Sequence, residues 1–127
     1  MKNQLLLILS AILLSSSFAG AAAPNTRKLN CKGTEPGWSI QVAGSDVNYS
    51  DFESKTSFFG AELSEAVGVA PGYAFQVNAS REKGAKRISI SVIKAGVGGC
   101  SDGMSESAYL YSVLANVNGT VLTGCCD

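Results

Sequence analysis

Trp38-Ser39-Ile40-Gln41-Val42-Ala43-Gly44-Ser45-Asp46-Val47-Asn48-Tyr49-Ser50 reads as two strands joined by a two-residue turn. Gly44 suits the first central position of a type II′ turn, whose twist matches that of the flanking strands. Closing this loop pairs Ala43 with Asp46, Val42 with Val47 and Ile40 with Tyr49. Trp38, Ile40, Val42, Val47 and Tyr49 then share one face, and Ser39, Gln41, Asp46, Asn48 and Ser50 share the other. Turn chemistry and polarity therefore specify the same register, that of an antiparallel sheet with one face in a core.

The same reading extends outward along the chain. Tyr109 to Val117, Asn118-Gly119 and Thr120 to Cys125 form a second hairpin, since Asn-Gly is the strongest short signal for a type I′ turn. Its register sets Ala115 opposite Leu122, Cys125 on the face of Ser112 and Leu114, and Cys126 on the face of Tyr111 and Val113. Tyr73 to Val77 and Lys86 to Lys94 also alternate with period two. The polar stretch Ser80 to Ala85 reads as the loop that joins them. Phe52 to Ala70 is ambiguous, because Ser57-Phe58-Phe59 suits a strand and Ala61 to Val67 suits a short helical turn. With hairpins throughout and no sustained helical period, the expected fold is all-β, a small antiparallel barrel or sandwich stapled by two disulfides.

The N-terminus has the three-part layout of a secretory signal peptide: Lys2, the apolar run Leu5 to Leu14, then small residues to Ala23. The run is shorter than the about 20 residues that a membrane span needs. Cleavage is expected after Ala19-Gly20-Ala21, which divides the chain into a leader (1–21), a short segment (22–30) and one β domain (31–127). No cysteine lies near that site, so a soluble periplasmic or secreted product without a lipid anchor is expected. About 105 mature residues make one domain, near the size at which burial alone stabilises a core only modestly. Ten basic and ten acidic residues with no block of like charge speak against nucleic-acid binding.

Cys31, Cys100, Cys125 and Cys126 give an even count in an exported chain, the pattern of a disulfide framework. Of the three pairings, the one joining neighbours is disfavoured in an extended segment, whose side chains point apart. Two pairings remain open on this ground. The chain has no C-x-x-C and no histidine, so neither a redox motif nor a zinc set is expected, and no metal or other cofactor. A serine–histidine or cysteine–histidine relay cannot be built.

Two segments carry more than strand pattern: Cys31-Lys-Gly-Thr-Glu-Pro-Gly-Trp-Ser39 and Cys100-Ser-Asp-Gly-Met-Ser-Glu-Ser-Ala-Tyr-Leu-Tyr111. With the closing Gly124-Cys125-Cys126 they resemble a family of uncharacterised bacterial envelope proteins and lipoproteins. Members of that family show Gly-Asn/Thr-Glu-Pro-Phe-Trp-Ser, then Cys-x-Asp-x-Met-Ser with Tyr-Pro-Tyr, and Gly-Cys near the end. Glu35, Pro36, Trp38, Cys100, Asp102, Met104, Ser105, Tyr109, Tyr111 and Cys125 match in order. The chain departs at Gly37, where the family has Phe, and at Leu110, where it has Pro. The resemblance implies a Cys100–Cys125 bridge, since members lacking the first cysteine keep these two, and hence Cys31–Cys126. Some members are joined to modules like those of lysozyme inhibitors or heat-inducible lipoproteins.

Each residue so marked also has a plain structural reading. Trp38 and Tyr49 fall on the core face. Glu35, restricted to extended backbone by the following proline, suits a turn that accepts backbone hydrogen bonds. Asp102-Gly103 is a turn pair. Met104 and Ser105 suit the tip of a loop, Ala95 to Ser107, that contains four glycines. Glu35, Trp38, Asp102, Met104, Ser105 and Tyr109 are the candidate binding residues. The leading expectation is a non-catalytic binding module whose partner is another envelope protein. The alternatives are an inhibitor of a lysozyme-like enzyme, with the loop from Asp102 to Ser107 entering its cleft, and a small hydrolase with Glu35 and Asp102 as paired carboxylates.

Overall fold

Alternating inward and outward residues run through eight strands, which a computed structural model describes over residues 22–103 and 106–127. The strands are β1 (Lys28–Thr34), β2 (Gly37–Ala43), β3 (Asp46–Asp51), β4 (Lys55–Glu65), β5 (Ala74–Arg81), β6 (Lys86–Lys94), β7 (Tyr111–Val117) and β8 (Thr120–Cys126). Each pairs antiparallel with its neighbour in sequence, and β8 returns to β1, so the sheet closes as an eight-stranded up-and-down barrel. Closure removes the exposed sheet edges that a sandwich would leave. The leader and the candidate residues Met104 and Ser105 lie outside the described residues.

An eight-stranded barrel is just wide enough for its own side chains to fill. Ile40, Val47, Phe58, Val77, Ile90 and Ala115, one from each of six successive strands, have no exposed surface. Both hairpin registers expected from the turns are present. Ala43 faces Asp46 across Gly44-Ser45, with Gly44 at φ +57°, and Ala115 faces Leu122 across Asn118-Gly119, at φ +51° and +96°.

Two elements differ from the sequence reading, and the ambiguous one is resolved. Phe52 to Ala70 contains no helical turn: its core is the long strand β4, with a register shift between Phe59 and Glu62. Gly60, at φ +65°, makes the bulge that puts both Phe58 and Ala61 inside. That three-residue spacing of buried residues imitates a helix. The loop between β5 and β6 is shorter than Ser80 to Ala85, because the ladder runs on to Arg81 opposite Lys86 and leaves one tight helical turn, Glu82–Gly84. The strand read from Tyr109 is broken at Leu110, whose N–H donates to Asp127 Oδ1 (3.0 Å) and whose carbonyl accepts Ala95 N–H (2.8 Å). Ala108–Tyr109 instead pairs with Cys100–Ser101 in a separate small ribbon.

Segment 22–30 is built into the barrel. Ala23–Pro24 pairs with Leu63 and Glu62 of β4, and Lys28 to Asn30 begin β1. Between them Asn25 is buried, its amide donating to the carbonyls of Arg27 (3.0 Å) and Gly44 (2.7 Å), so the segment is fastened at the barrel end at which β1 begins. Arg27 then lies over the Phe75 ring (4.6 Å) and pairs with Glu65 (3.0 Å).

The β8–β1 seam is the weakest part of the wall. Its ladder contains only Cys125 opposite Lys32 and Cys126 opposite Cys31, extended by reciprocal backbone bonds between Asn30 and Asp127. Two disulfides reinforce it from opposite sides. Cys31–Cys126 ties the two strands from the interior, while Cys100–Cys125 fastens the chain between β6 and β7 to the outer face of β8. Among the described residues no helix is long and apolar enough to cross a membrane.

Candidate functional site

The described residues between Ala95 and Leu110 form a strap that leaves β6, crosses β8 on the outside and reaches β1. It is anchored at two points. Cys100 bonds Cys125, and Asp102 docks on β1. The Asp102 side chain is only 3 % exposed. Its Oδ2 accepts the Tyr109 hydroxyl (2.9 Å) and lies 3.6 Å from Lys32 Nζ, while its backbone carbonyl accepts the Thr34 hydroxyl (3.1 Å). Lys32 Nζ also sits 4.9 Å from the centre of the Tyr109 ring. The Lys32 ammonium is thereby held above its usual pKa, first by its interaction with the Tyr109 hydroxyl and also by the Asp102 charge.

The candidates from sequence separate accordingly. Asp102 and Tyr109 come together as a part-buried clamp, with the more exposed Lys32 as a third member that the sequence does not single out. Glu35 lies exposed in the β1–β2 turn, before a cis bond to Pro36, at the same corner of the molecule because its neighbour Thr34 contacts Asp102. Trp38 is 5 % exposed and belongs to the core. Its indole crosses β1 at Gly33 and reaches Gly124 of β8. A Cβ at Gly33 would overlap the indole nitrogen, and one at Gly124 would overlap the Lys32 carbonyl and approach Trp38 Cζ2 to 2.9 Å. The two glycines thus make the slot that lets a tryptophan pack across the seam.

The outer wall of β4 to β8 carries a groove of about 870 Å³ that Glu35, Trp38, Asp102 and Tyr109, the candidates among the described residues, do not line. Its floor consists of two rows of facing residues. One runs Ser64, Gln76, Ser91, Leu114, Thr123, and the other runs Ala74, Ile93, Ser112, Cys125. Cys100–Ser101, held by its disulfide, borders the groove on one side, and the end of β4 at Ser64 to Ala66 borders it on the other. Glu65 of that border is fixed by Arg27 and by the Gly72 N–H (3.0 Å each). Ile93 and Leu114 are half exposed on the floor. The floor is otherwise uncharged, made of hydroxyl and amide side chains with Ala74 and the bonded Cys125, and it is ordered by a bond from Gln76 Nε2 to Ser91 Oγ (3.0 Å).

One signal for this surface was present in the sequence. The run Tyr111 to Leu114 is apolar on both faces apart from Ser112, which is unusual for a strand whose outside meets only water. The rows themselves depend on which strands become neighbours, and so needed the topology.

The Asp102 carboxylate is turned under the strap onto Tyr109 and Lys32, and no group of three metal-ligating side chains occurs among the described residues. The groove is a preformed concave surface on the sheet, with apolar side chains set among small polar ones. Comparison with known proteins returns no matching family model, no matching curated protein and no matching solved structure.

Proposed function

We propose that this chain is a non-catalytic binding module of the bacterial envelope, exported by its N-terminal leader and acting as a periplasmic or secreted domain through the outer groove. The resemblance of its Cys31 to Ser39 and Cys100 to Tyr111 segments to a bacterial envelope protein family supports this reading. The observation that carries this reading is the groove itself: Ile93 and Leu114 stand half exposed on a floor whose border is fixed by Cys100–Cys125. A surface held in place before binding loses little conformational freedom when occupied. Two disulfides suit an oxidising compartment.

The test is capture of a partner from periplasmic extract by the oxidised protein, repeated with Leu114→Asp. Leu114 faces outward, so the variant keeps the interior intact. Loss of the captured species by tenfold or more, about 1.4 kcal/mol, with an unchanged melting temperature is the expected result. Equal capture by both proteins would remove the groove from the interaction.

The two-point anchorage of the strap favours a second reading, in which its tip enters the cleft of a lysozyme-like enzyme. The purified domain would then protect peptidoglycan from digestion. No protection against several lysozyme types would dismiss it. Hydrolysis by Glu35 and Asp102 comes third, because the Asp102 carboxylate is already engaged within the fold.

A further inference from the structure

The barrel end opposite the N-terminal segment carries a second concave feature, of about 650 Å³, between the β5–β6 and β7–β8 hairpins. Lys86, Arg87, Ser89, Asn116 and Asn118 line it together with glycine backbone, and no aspartate or glutamate does. Its two asparagines are oriented by the fold. Asn116 Oδ1 accepts the Gly119 N–H (2.8 Å) and Asn118 Oδ1 accepts the Arg87 N–H (2.9 Å). Each oxygen is spent on a backbone donor, so each NH2 group is left to face outward without a protein acceptor among the described residues.

The cations are similarly uncommitted. Arg87 uses Nε on the Gly84 carbonyl (3.0 Å), which leaves its two terminal nitrogens available. Lys86 has no carboxylate partner among the described residues. Arg81 and Lys83 stand on the same hairpin, against the single acid Glu82, which lies 3.8 Å from Arg81. On a chain with balanced formal charge this is a local excess of positive charge. The Asn118 N–H donates to the Arg87 carbonyl (2.9 Å), which with the bond above locks the two hairpins together.

We infer that this pocket binds an oxyanion of the phosphate class, either free or as the phosphate of an anionic lipid headgroup. A lining of fixed amide donors, one guanidinium and one ammonium satisfies several oxygens at once and offers little to a cation or a neutral apolar group. The site is separate from the groove, and neither depends on the other.

Inorganic phosphate titrated into the full-length mature protein at constant ionic strength, followed by NMR, tests it. Saturable shifts are expected at the side-chain amides of Asn116 and Asn118 and at Gly119. Asn116→Asp with Asn118→Asp keeps both backbone-accepting oxygens but replaces each free donor by a charge, and affinity should fall at least about tenfold. Lys86→Gln with Arg87→Gln should give a comparable loss should the first pair fold poorly. Lys28→Gln with Lys94→Gln, at the other end of the barrel, should leave binding unchanged.

Vesicles separate the two sources. Retention on phosphatidylglycerol but not phosphatidylcholine vesicles, abolished by the asparagine variants, assigns a headgroup, and phosphate binding without retention assigns the free ion. Absence of both, an affinity unaffected by either pocket variant, or an equal loss in the distal control would overturn the proposal.

Discussion

Tyr49 and Asp51 show how one pair of side chains makes stability depend on pH at both extremes. Tyr49 donates to Asp51 Oδ2 (2.8 Å), while Asp51 Oδ1 accepts the N–H groups of Glu53 and Ser54 (2.8 Å each) at the β3–β4 turn. Burial, then the hydrogen bond to Asp51, pushes the Tyr49 hydroxyl up to about 12. The Tyr49 bond, then the turn amides, holds Asp51 below its usual range. The tyrosine contribution is full below its ordinary pKa of about 10 and is lost as pH rises to about 12. The aspartate contribution is full above about 4 and is lost as pH falls through the lowered value. Urea unfolding of Tyr49→Phe across pH should therefore show shallower losses at both ends than the parent protein; identical curves would refute the coupling. Gly124 makes a simpler case. Ala at this position forces the Lys32 carbonyl or Trp38 to move, and should cost about 3 kcal/mol in the same assay.

Among the elements, the hairpins were legible because three signals agreed: turn residues, period-two polarity and length. Gly44-Ser45 and Asn118-Gly119 fixed registers that the barrel reproduces residue for residue. β4 was obscure for a local reason, since the Gly60 bulge interrupts the alternation that identifies a strand. The strap was hard to read for a different reason. Its order comes from Lys32, Thr34 and Cys125, all distant in sequence, and Asp102 looked like an isolated turn residue until β1 was beside it. The two bridges are expected to contribute unequally. Closing 25 residues limits the unfolded chain by about 3.5 kcal/mol and closing 95 by about 4.7 kcal/mol. Removing Cys31–Cys126 with paired serines should accordingly lower unfolding free energy by the larger amount. Removing Cys100–Cys125 should also raise amide exchange in the strap while the β2–β3 hairpin stays protected. Uniform exchange in both regions would contradict separate roles for the bridges.

For the whole molecule, closure explains why a domain of this size has an interior filled by its own side chains. The core residues fill the barrel, Asn25 fastens the N-terminal segment at one end, and Trp38 bridges the short β8–β1 ladder from within. The interior is taken up by side chains, and on the outer wall the strap turns part of a convex barrel surface into the groove proposed above as the binding surface. Of the candidate residues read from sequence motifs, Asp102 and Tyr109 fasten that strap, while Leu114, Ile93 and Thr123 belong to the floor. Site-specific photocrosslinking in the exporting cell distinguishes the groove from the rest of the wall. A photoreactive residue at position 114 should give a discrete crosslinked product that one at position 48, on the outer face of β3, does not give; crosslinks of equal yield at both positions, or at 48 alone, would contradict the assignment of the outer groove as the binding surface.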